Sequence, residues 1–275
     1  TRGNGDFTLS TQLVADGADA TGTQGNSPGG VGKLGGYSGG KQDLDGTGPG
    51  KGATKQDNDD GTGGGYGNFG LTPSQTLASY GAINGDLHIS DLLGGSGGAG
   101  GDYRGGGAGG GAIELIAHGA GTLKLNAGSR ITVNGGDTNN KDRGGGGGAG
   151  GSIRLQGGSI ENNGVLQAQG GGLSPGSKSD FDGSGGRIAF DTNGTVNLGN
   201  YDLSGHAYND RHTDFNPFPA MDGTLALRGD SGVTDLSYTS GTLTIDTSAA
   251  YWVHSGGDHG AVSYTHLTLP TKASV

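Results

Sequence analysis

The sequence lacks several features that would assign it to common classes of protein. It has no cysteine, so neither a disulfide framework nor a thiolate metal site is available to it. Its apolar runs are only a few residues long, which is too short to span a bilayer. Helical periodicity is almost absent, and the seven histidines form no H-E-x-x-H pair. No nucleophile elbow on a strand-to-helix turn is visible either. The sequence therefore indicates an all-β protein without a recognisable catalytic motif.

Basic residues are also in short supply. The chain has 16 Lys and Arg against 26 Asp and Glu, which gives a formal net charge of −10. Neutralising a phosphate backbone needs clustered Lys and Arg, and no basic stripe is present. The composition therefore argues against nucleic acid as a partner.

Glycine is the residue that the chain has in excess. Its 68 glycines raise the possibility of disorder or of a collagen-like chain. Collagen is excluded because glycine does not recur at every third position and because there are only 7 prolines. The apolar residues are concentrated in alternating stretches, which favours ordered strands over disorder.

A repeated sequence motif occurs in the second half of the chain. Glycines precede an alternating strand that begins near Ile113, Ile153, Ile188 and Leu225, at spacings of 40, 35 and 37 residues. Such periods are typical of repeat architectures. Aligning the repeats gives further apolar columns, and residues two apart within a strand share one face. These columns are Leu115, Leu155, Phe190 and Leu227; Leu123, Ile160, Val196 and Val233; Ile131, Leu166, Tyr201 and Leu243; and Val133, Ala168, Leu203 and Ile245.

Three short strands per repeat, with recurring apolar positions, predict a parallel β-helix, that is, a solenoid with long glycine-rich loops. The glycine runs allow two interpretations. They form flexible surface loops, as glycine-rich chains usually do. Alternatively, they lie extended and pack side by side in a polyproline-II-like manner, since only glycine allows such close backbone approach.

The predicted organisation has three parts. Residues 1–93 form an irregular glycine- and Asp-rich region with a few strands, among them residues 7–14. Residues 94–261 carry the β-helical repeats. Residues 262–275 are expected to be an artefactual tail, because residues 262–272 resemble the translation of a sequencing-library adapter. That resemblance implies a metagenomic fragment of a longer protein.

The motifs at residues 106–115, 150–155, 165–171 and 185–190 resemble the glycine-rich repeat regions of large bacterial cell-surface and secreted proteins. The resemblance covers roughly residues 60–230. It implies a β-helical, extracellular, adhesin-like module. The polyglycine bundles of phage tail-tip adhesins are a weaker likeness.

The main candidate for ligand binding is the segment where the glycines give way to aromatic and charged residues. Rings can stack on a sugar and carboxylates can bond its hydroxyls, so this segment fits a glycan-recognition patch. Capping the side of the solenoid is the alternative role for its phenylalanines. The candidate residues are Tyr208, His212, Asp214, Phe215 and Phe218. Trp252 is a further candidate for recognition or for terminal capping.

We expect no cofactor, and Ca²⁺ is the metal for which the sequence offers candidate ligands. Residues 97–102 match the start of a calcium-binding nonapeptide repeat, but Arg104 stands at the apolar eighth position and no tandem copy follows. The acidic residues within 57–61 lack the spacing of a calcium loop, so a solvated acidic turn is the interpretation they favour.

The sequence thus favours a non-enzymatic extracellular or cell-surface module for structure or adhesion, with glycans or a host surface as partner. A polysaccharide lyase or hydrolase on a β-helix is the main alternative, and a phage receptor-binding tip is another. Glu114, Arg154 and Arg187 are predicted to stack outward beside the first apolar column, as a surface salt-bridge ladder. The oligomeric state is left open.

Overall fold

The structure is a computed structural model, and it describes residues 5–23, 25–54, 61–67, 70, 81–86, 89–138, 144–172, 182–192, 194–205, 223–228, 242–246 and 251–255. Within these ranges all regular secondary structure is β-strand. The strands are β1 (Phe7–Leu9), β2 (Gln12–Val14), β3 (Ala112–Ile116), β4 (Thr122–Leu125), β5 (Arg130–Thr132), β6 (Ser152–Gly157), β7 (Ser159–Asn162), β8 (Val165–Gln167), β9 (Arg187–Thr192), β10 (Val196–Asn197), β11 (Asn200–Asp202), β12 (Thr224–Arg228), β13 (Thr242–Asp246) and β14 (Tyr251–Ser255).

The strands form three sheets, and each sheet takes one strand from each of the first three repeats. Sheet 1 has the order β1-β4-β7-β10, and sheet 2 has the order β2-β5-β8-β11. Sheet 3 begins β3-β6-β9-β12 and ends with β14 and β13. All pairs in the first two sheets are parallel, as are those from β3 to β12 in the third. The prediction of an all-β fold with parallel strands is confirmed for the described residues, and the first three repeats each supply three strands.

The apolar columns set the register between repeats. Ile113 pairs with Ile153, Ile153 with Ile188, and Ile188 with Leu225. The same holds along Leu115, Leu155, Phe190 and Leu227, along Leu123, Ile160 and Val196, and along Ile131, Leu166 and Tyr201. Because side chains alternate along a strand, each in-register column sends its members to one face.

These columns form the hydrophobic core. Ile153, Leu155 and Leu166 of the second repeat are fully buried, as are Leu123 and Ile131 of the first. Among the column residues of these two repeats, only those of β3, the end strand of sheet 3, are partly buried, and these are Ile113 and Leu115. The column of Val133, Ala168 and Leu203, which follows the third strands, is buried as well. Burial of each Ile, Leu or Phe contributes about 1.5–3 kcal/mol, so stacking of the repeats is what stabilises the strands.

The fourth repeat departs from the prediction. Leu243 was expected to extend the column of Tyr201 in sheet 2, but β13 lies in sheet 3, where Leu243 pairs with His254 of β14 in antiparallel fashion. Four residues connect β13 and β14, and so short a connection can join antiparallel strands only. The alternation of apolar and polar residues does not determine which strand lies next to β13. The prediction that Leu243 continues the column of Tyr201 was therefore wrong. Val233 lies outside the described residues.

The N-terminal strands extend the same sheets. Phe7 of β1 pairs with Leu123 of β4, and Leu13 of β2 pairs with Ile131 of β5. The first strand of sheet 3, β3, follows β2 after 97 residues, from 15 to 111, and the described residues of this segment add no strand to the three sheets. The strands expected at residues 7–14 therefore stack on the repeats.

The glycine runs are buried and hydrogen-bonded to one another. Glycines and alanines of residues 94–101, 105–111 and 144–151 have little solvent exposure. Every third amide of the segment 94–101 donates to a carbonyl of the segment 104–110. The donor and acceptor pairs are Gly95 and Gly110 at 2.8 Å, Gly98 and Gly107 at 3.0 Å, and Gly101 and Arg104 at 2.9 Å. These contacts disagree with the interpretation of the glycine runs as flexible surface loops.

A second set of bonds repeats the three-residue step on another side of this segment. Ala149 and Gly146 donate their amides to the carbonyls of Ser96 and Ala99, at 2.9 and 2.8 Å. The amides of these glycine segments thus bond to other segments of the chain, at intervals of three residues. At Gly148 an added Cβ would lie 1.9 Å from the carbonyl oxygen of Ala108, so a side chain has no room there.

Candidate functional site

The residues predicted to bind a ligand, Tyr208, His212, Asp214, Phe215 and Phe218, lie outside the described residues. The described chain ends at Gly205 and resumes at Gly223. Their role in recognition stays a prediction. The side chain of Trp252, in β14, is not described either, although its backbone pairs with Ile245 and Leu227.

A groove of about 400 Å³ lies where the strands of sheet 2 end, next to the start of the predicted ligand segment. Three successive repeats each supply a polar residue followed by a glycine to its wall, and Asp137 adds a carboxylate. The polar residues are Asn134, Gln169 and Ser204, and the glycines are Gly135, Gly170 and Gly205. We call this the sheet 2 groove.

Side-chain oxygens of one layer of the stack accept hydrogen bonds from backbone amides of the next layer. Asp16 Oδ1 accepts a hydrogen bond from the amide of Asn134 at 2.7 Å, and Asn134 Oδ1 accepts one from the amide of Gln169 at 2.9 Å. Asp137 Oδ1 likewise accepts from the amide of Gly172 at 2.9 Å. These side-chain oxygens replace the backbone acceptors that the ending strands no longer supply. They thereby fix the side chains that line the groove.

Asp202 holds the far end of the groove. Its Oδ2 accepts from Gln169 Nε2 at 2.7 Å, and its Oδ1 accepts from the Ser204 hydroxyl at 2.7 Å. The first bond fixes which way the Gln169 amide is turned. As a result, Gln169 Oε1 and Asn134 Nδ2 are an acceptor and a donor with no partner among the described residues. A hydroxyl-bearing ligand is able to use both.

The sequence analysis missed this groove, although it noted the apolar column of Val133, Ala168 and Leu203 just before it. The two positions that follow this column in each repeat contain a sequence pattern that indicates the groove. They read Asn-Gly, Gln-Gly and Ser-Gly at residues 134–135, 169–170 and 204–205. A polar residue that recurs after a buried position in three aligned repeats indicates a file of polar side chains along the stack.

Arg187 does not belong to the predicted salt-bridge ladder of Glu114, Arg154 and Arg187. Arg154 contacts Glu114 Oε1 at 3.2 Å and Asp191 Oδ2 at 3.0 Å, and these three residues lie on β3, β6 and β9. Arg187 pairs with Ser152, two positions earlier. The reason is the register: Glu114 and Arg154 follow the first apolar column, whereas Arg187 precedes it.

Arg187 is also buried, with 2% of its surface exposed. Its guanidinium lies 5.2 Å from the centre of the Tyr66 ring and donates to the carbonyls of Tyr66 and Asn84, at 3.2 and 2.9 Å. The segment that leaves the sheets between β2 and β3 therefore covers this part of sheet 3. Burial lowers the pKa of Arg187.

Tyr66 completes this buried contact. Its hydroxyl forms a hydrogen bond with Ser152 Oγ at 2.6 Å. Burial raises the pKa of Tyr66, partly offset by the Ser152 hydrogen bond and by the charge of Arg187. These contacts attach the segment between β2 and β3 to sheet 3, and their role is structural.

A smaller cavity of about 150 Å³ lies at the ends of β3, β6 and β9, where its lining includes His118 and Asp191. The nearby carboxylates of Glu114 and Asp191 both bind Arg154. A pair of carboxylates engaged with one guanidinium is not arranged as a free general acid and base.

The calcium candidates gain no support from the geometry. Residues 97–101 lie in the glycine segment described above, where the amides of Gly97 and Gly98 bond to neighbouring carbonyls. The acidic residues 57–60 lie outside the described residues. Among the residues that the structure describes, no three His, Cys, Asp or Glu side chains are grouped to hold a metal ion.

A search of the described residues finds no helix with the length and hydrophobicity needed to cross a membrane. Comparisons with protein-family models, with curated proteins and with solved structures give no match. The function is therefore argued from the chain's own geometry.

Proposed function

We propose that this chain is a non-enzymatic extracellular module for structure and adhesion, folded as a glycine-rich parallel β-helix, which recognises surface glycans. The extracellular placement follows the resemblance to bacterial surface proteins. The observation that carries the recognition role is the sheet 2 groove, a polar surface built from equivalent positions of three repeats.

The β-helix interpretation is supported by the order of the strands. The chain visits sheets 3, 1 and 2 in turn, as β3-β4-β5, β6-β7-β8 and β9-β10-β11, and each visit lies parallel to the one before. A continuous coil with three strands per turn produces this order. The interior columns of such a coil are the apolar columns described above.

The polyproline-II-like interpretation of the glycine runs is supported by the three-residue step of their hydrogen bonds. Extended glycine segments that bond to several neighbours give a stiff side layer in place of mobile loops. Stiffness suits a module that presents a binding surface away from a cell. The same packing is compatible with a phage tail-tip adhesin.

The recognition role is supported by the chemistry of the groove. Protein sites that bind polar ligands combine a concave surface with a few fixed donors and acceptors. Here the side chains of Asn134 and Gln169 are each held by a bond to the next repeat, at 2.9 and 2.7 Å. Ordering these side chains before binding reduces the entropy lost when a ligand arrives.

A glycan array probed with the purified chain tests this proposal. We expect binding to a subset of glycans. Bound glycans are then incubated with the chain, and the products are sized by chromatography. Binding without shortening supports an adhesion module, and an array without any binding refutes glycan recognition.

The same incubation tests the enzymatic alternative. Shortened products that disappear in the Glu114→Gln variant would establish a lyase or hydrolase on the face of sheet 3. We expect no such products, because the Glu114 carboxylate is bound to Arg154 at 3.2 Å.

A further inference from the structure

The three sheets do not end at the same layer of the stack. β1 and β2 lie one layer beyond the first repeat in sheets 1 and 2, where Phe7 and Leu13 continue the columns of Leu123 and Ile131. Sheet 3 has no such strand among the described residues, so β3 is its end strand. The edge of β3 is thus set back by one strand from the ends of the other two sheets.

The burial of the core residues differs in the same way. Leu123 and Ile131, which β1 and β2 cover, are 0% exposed. Ile113 and Leu115 of β3 are only partly buried, although their partners on β6 are fully buried. A further strand with apolar residues in register with Ile113 and Leu115 would bury both side chains and extend their columns.

The backbone of β3 offers hydrogen bonds on this edge. The amide of Ala117 bonds to β6, whereas that of Ala112 bonds on the opposite side, to Leu34 O at 2.8 Å. Successive residues of a strand bond to alternate sides, so Glu114 and Ile116 direct their N–H and C=O groups away from β6, as Ala112 does. No described residue forms a backbone hydrogen bond with Glu114 or Ile116 on that side. Such unpaired groups are a template for another strand.

The charges beside this edge indicate which residue fits opposite Glu114. Arg154 of β6 contacts the carboxylates of Glu114 and Asp191, so two acidic groups and one basic group give this row a net charge of −1. Along β9, β6 and β3 the signs alternate as acidic, basic and acidic. A basic residue opposite Glu114 on an added strand would continue the alternation, because opposite charges on neighbouring strands attract. An acidic residue there would be repelled.

We propose that the open edge of β3 binds an extended segment of a partner polypeptide, which adds to sheet 3 as a parallel strand. The segment has the sequence type apolar, basic, apolar, with its basic residue opposite Glu114. The chain contains this pattern at Ile153, Arg154 and Leu155, which pair with β3 in parallel from its other side. In strand addition, backbone hydrogen bonds supply affinity and alternate side chains supply specificity. This inference is independent of the sheet 2 groove and of glycan recognition.

The same edge of a second copy of this chain is a poorer occupant. Two β3 edges brought together would bring the Glu114 carboxylates of both copies close to each other. Like charges on neighbouring strands oppose pairing. The guanidinium of Arg154 lies on β6, on the side of Glu114 that faces away from the edge, so it does not separate the two carboxylates.

The first test uses a fluorescent peptide with the sequence of residues 150–157, Gly-Gly-Ser-Ile-Arg-Leu-Gln-Gly, and measures its anisotropy with the full chain. We expect saturable binding. A second peptide that carries Arg154→Glu should bind about tenfold more weakly, because attraction to Glu114 becomes repulsion. Absence of saturable binding by the first peptide, or equal affinities of the two peptides, would overturn the inference.

Two substitutions at Ile116 test whether the peptide uses this edge. Ile116→Pro removes the outward N–H, and its ring blocks an incoming strand, whereas the bonds from β3 to β6 are kept. Ile116→Ala also shortens the side chain but keeps the N–H. We expect about tenfold weaker peptide binding by Ile116→Pro and unchanged affinity for Ile116→Ala, with thermal unfolding to verify that both are folded. Equal affinities of two folded variants would contradict binding at β3.

Cysteine crosslinking tests the register, since the chain has no cysteine of its own. Ile116→Cys is combined with peptides that carry cysteine either at Gln156, in register with position 116, or at Gly150. Opposed residues on neighbouring strands lie about 4.7–4.9 Å apart, within the range of about 4.4–6.8 Å that a disulfide bridges. We expect oxidised glutathione to crosslink the first peptide. Preferential crosslinking of the second peptide, or of two copies of the chain to each other, would refute this mode of strand addition.

Discussion

Replacing Gly148 by alanine tests whether the glycine segments pack as closely as the structure indicates. An added Cβ would lie 1.9 Å from Ala108 O and 2.3 Å from Ala108 C, whereas ordinary contacts begin at 3.4 Å. Because both groups belong to the backbone, one segment must move by about 1.5 Å, the difference between 3.4 and 1.9 Å. No side-chain rotation relieves this contact.

The cost follows from the bonds that such a movement would break. The amide of Gly148 donates to Gly136 O at 3.0 Å, and the amide of Gly136 donates to Ala108 O at 2.7 Å. Each buried group left without its partner costs about 1–3 kcal/mol, so losing both bonds costs about 2–6 kcal/mol. With a urea dependence of about 2 kcal/mol per molar, the unfolding midpoint should fall by about 1–3 M.

Urea unfolding followed by far-UV circular dichroism measures this change, with Gly157→Ala as the matched control. Gly157 lies in β6, and an added Cβ there would lie 2.9 Å from the backbone oxygen of Ser159, so the backbone must move by about 0.5 Å, the difference between 3.4 and 2.9 Å and a third of the movement needed at Gly148. We expect the control to change the free energy of unfolding by about 1 kcal/mol or less. Equal midpoints for the two variants would refute the close packing of the glycine segments.

Three further substitutions test the core, the groove and the buried tyrosine. Leu155→Ala, at a fully buried position, should lower the free energy of unfolding by about 2–5 kcal/mol in urea titrations. Asp16→Ala removes the acceptor of the Asn134 amide and should cost about 1–3 kcal/mol by the same measurement. Tyr66→Phe removes the hydrogen bond to Ser152 and should cost about 1 kcal/mol at pH 7. Because burial raises the pKa of Tyr66, its contribution is complete below pH 10 and is lost as the pH rises through the folded-state pKa. Midpoints at pH 7, 9 and 11 should therefore fall less steeply for Tyr66→Phe than for the parent chain.

Each of these predictions has a control or a contrary outcome. Val14→Ala, at a position 58% exposed, should change stability by no more than about 0.5 kcal/mol, and a cost equal to that of Leu155→Ala would contradict the assigned core. Asp16→Asn keeps an acceptor oxygen and should recover most of the loss caused by Asp16→Ala. A steeper alkaline fall in Tyr66→Phe than in the parent chain would contradict the raised pKa.

The strands and their register were predictable because they depend on local alternation and on repeat spacing. Ile113, Ile153, Ile188 and Leu225 stand at equivalent points of a repeated phrase, and a shift by one residue would turn every inward side chain outward. The misplaced Leu243 shows the limit of that reasoning. Alternation specifies a face for each side chain, but the length of the connection to the next strand decides which neighbour it takes.

The groove and the buried arginine depend on contacts between residues far apart in the sequence. Arg187 lies 121 residues from Tyr66, and no local pattern indicates that a separate segment covers its face of sheet 3. Asn134 is held by Asp16 across 118 residues. Such pairs become neighbours only when the repeats stack.

By itself, the sequence determined that this protein contains alternating strands, that three repeats align along all their apolar columns, and that glycine is concentrated between them. A two-residue side-chain period and a recurring spacing are properties of the chain alone. The tertiary structure decided that the glycine runs are interior segments, because their hydrogen-bond partners come from other parts of the chain. It also decided where polar side chains from three repeats meet, since a groove exists only between strands that have been stacked.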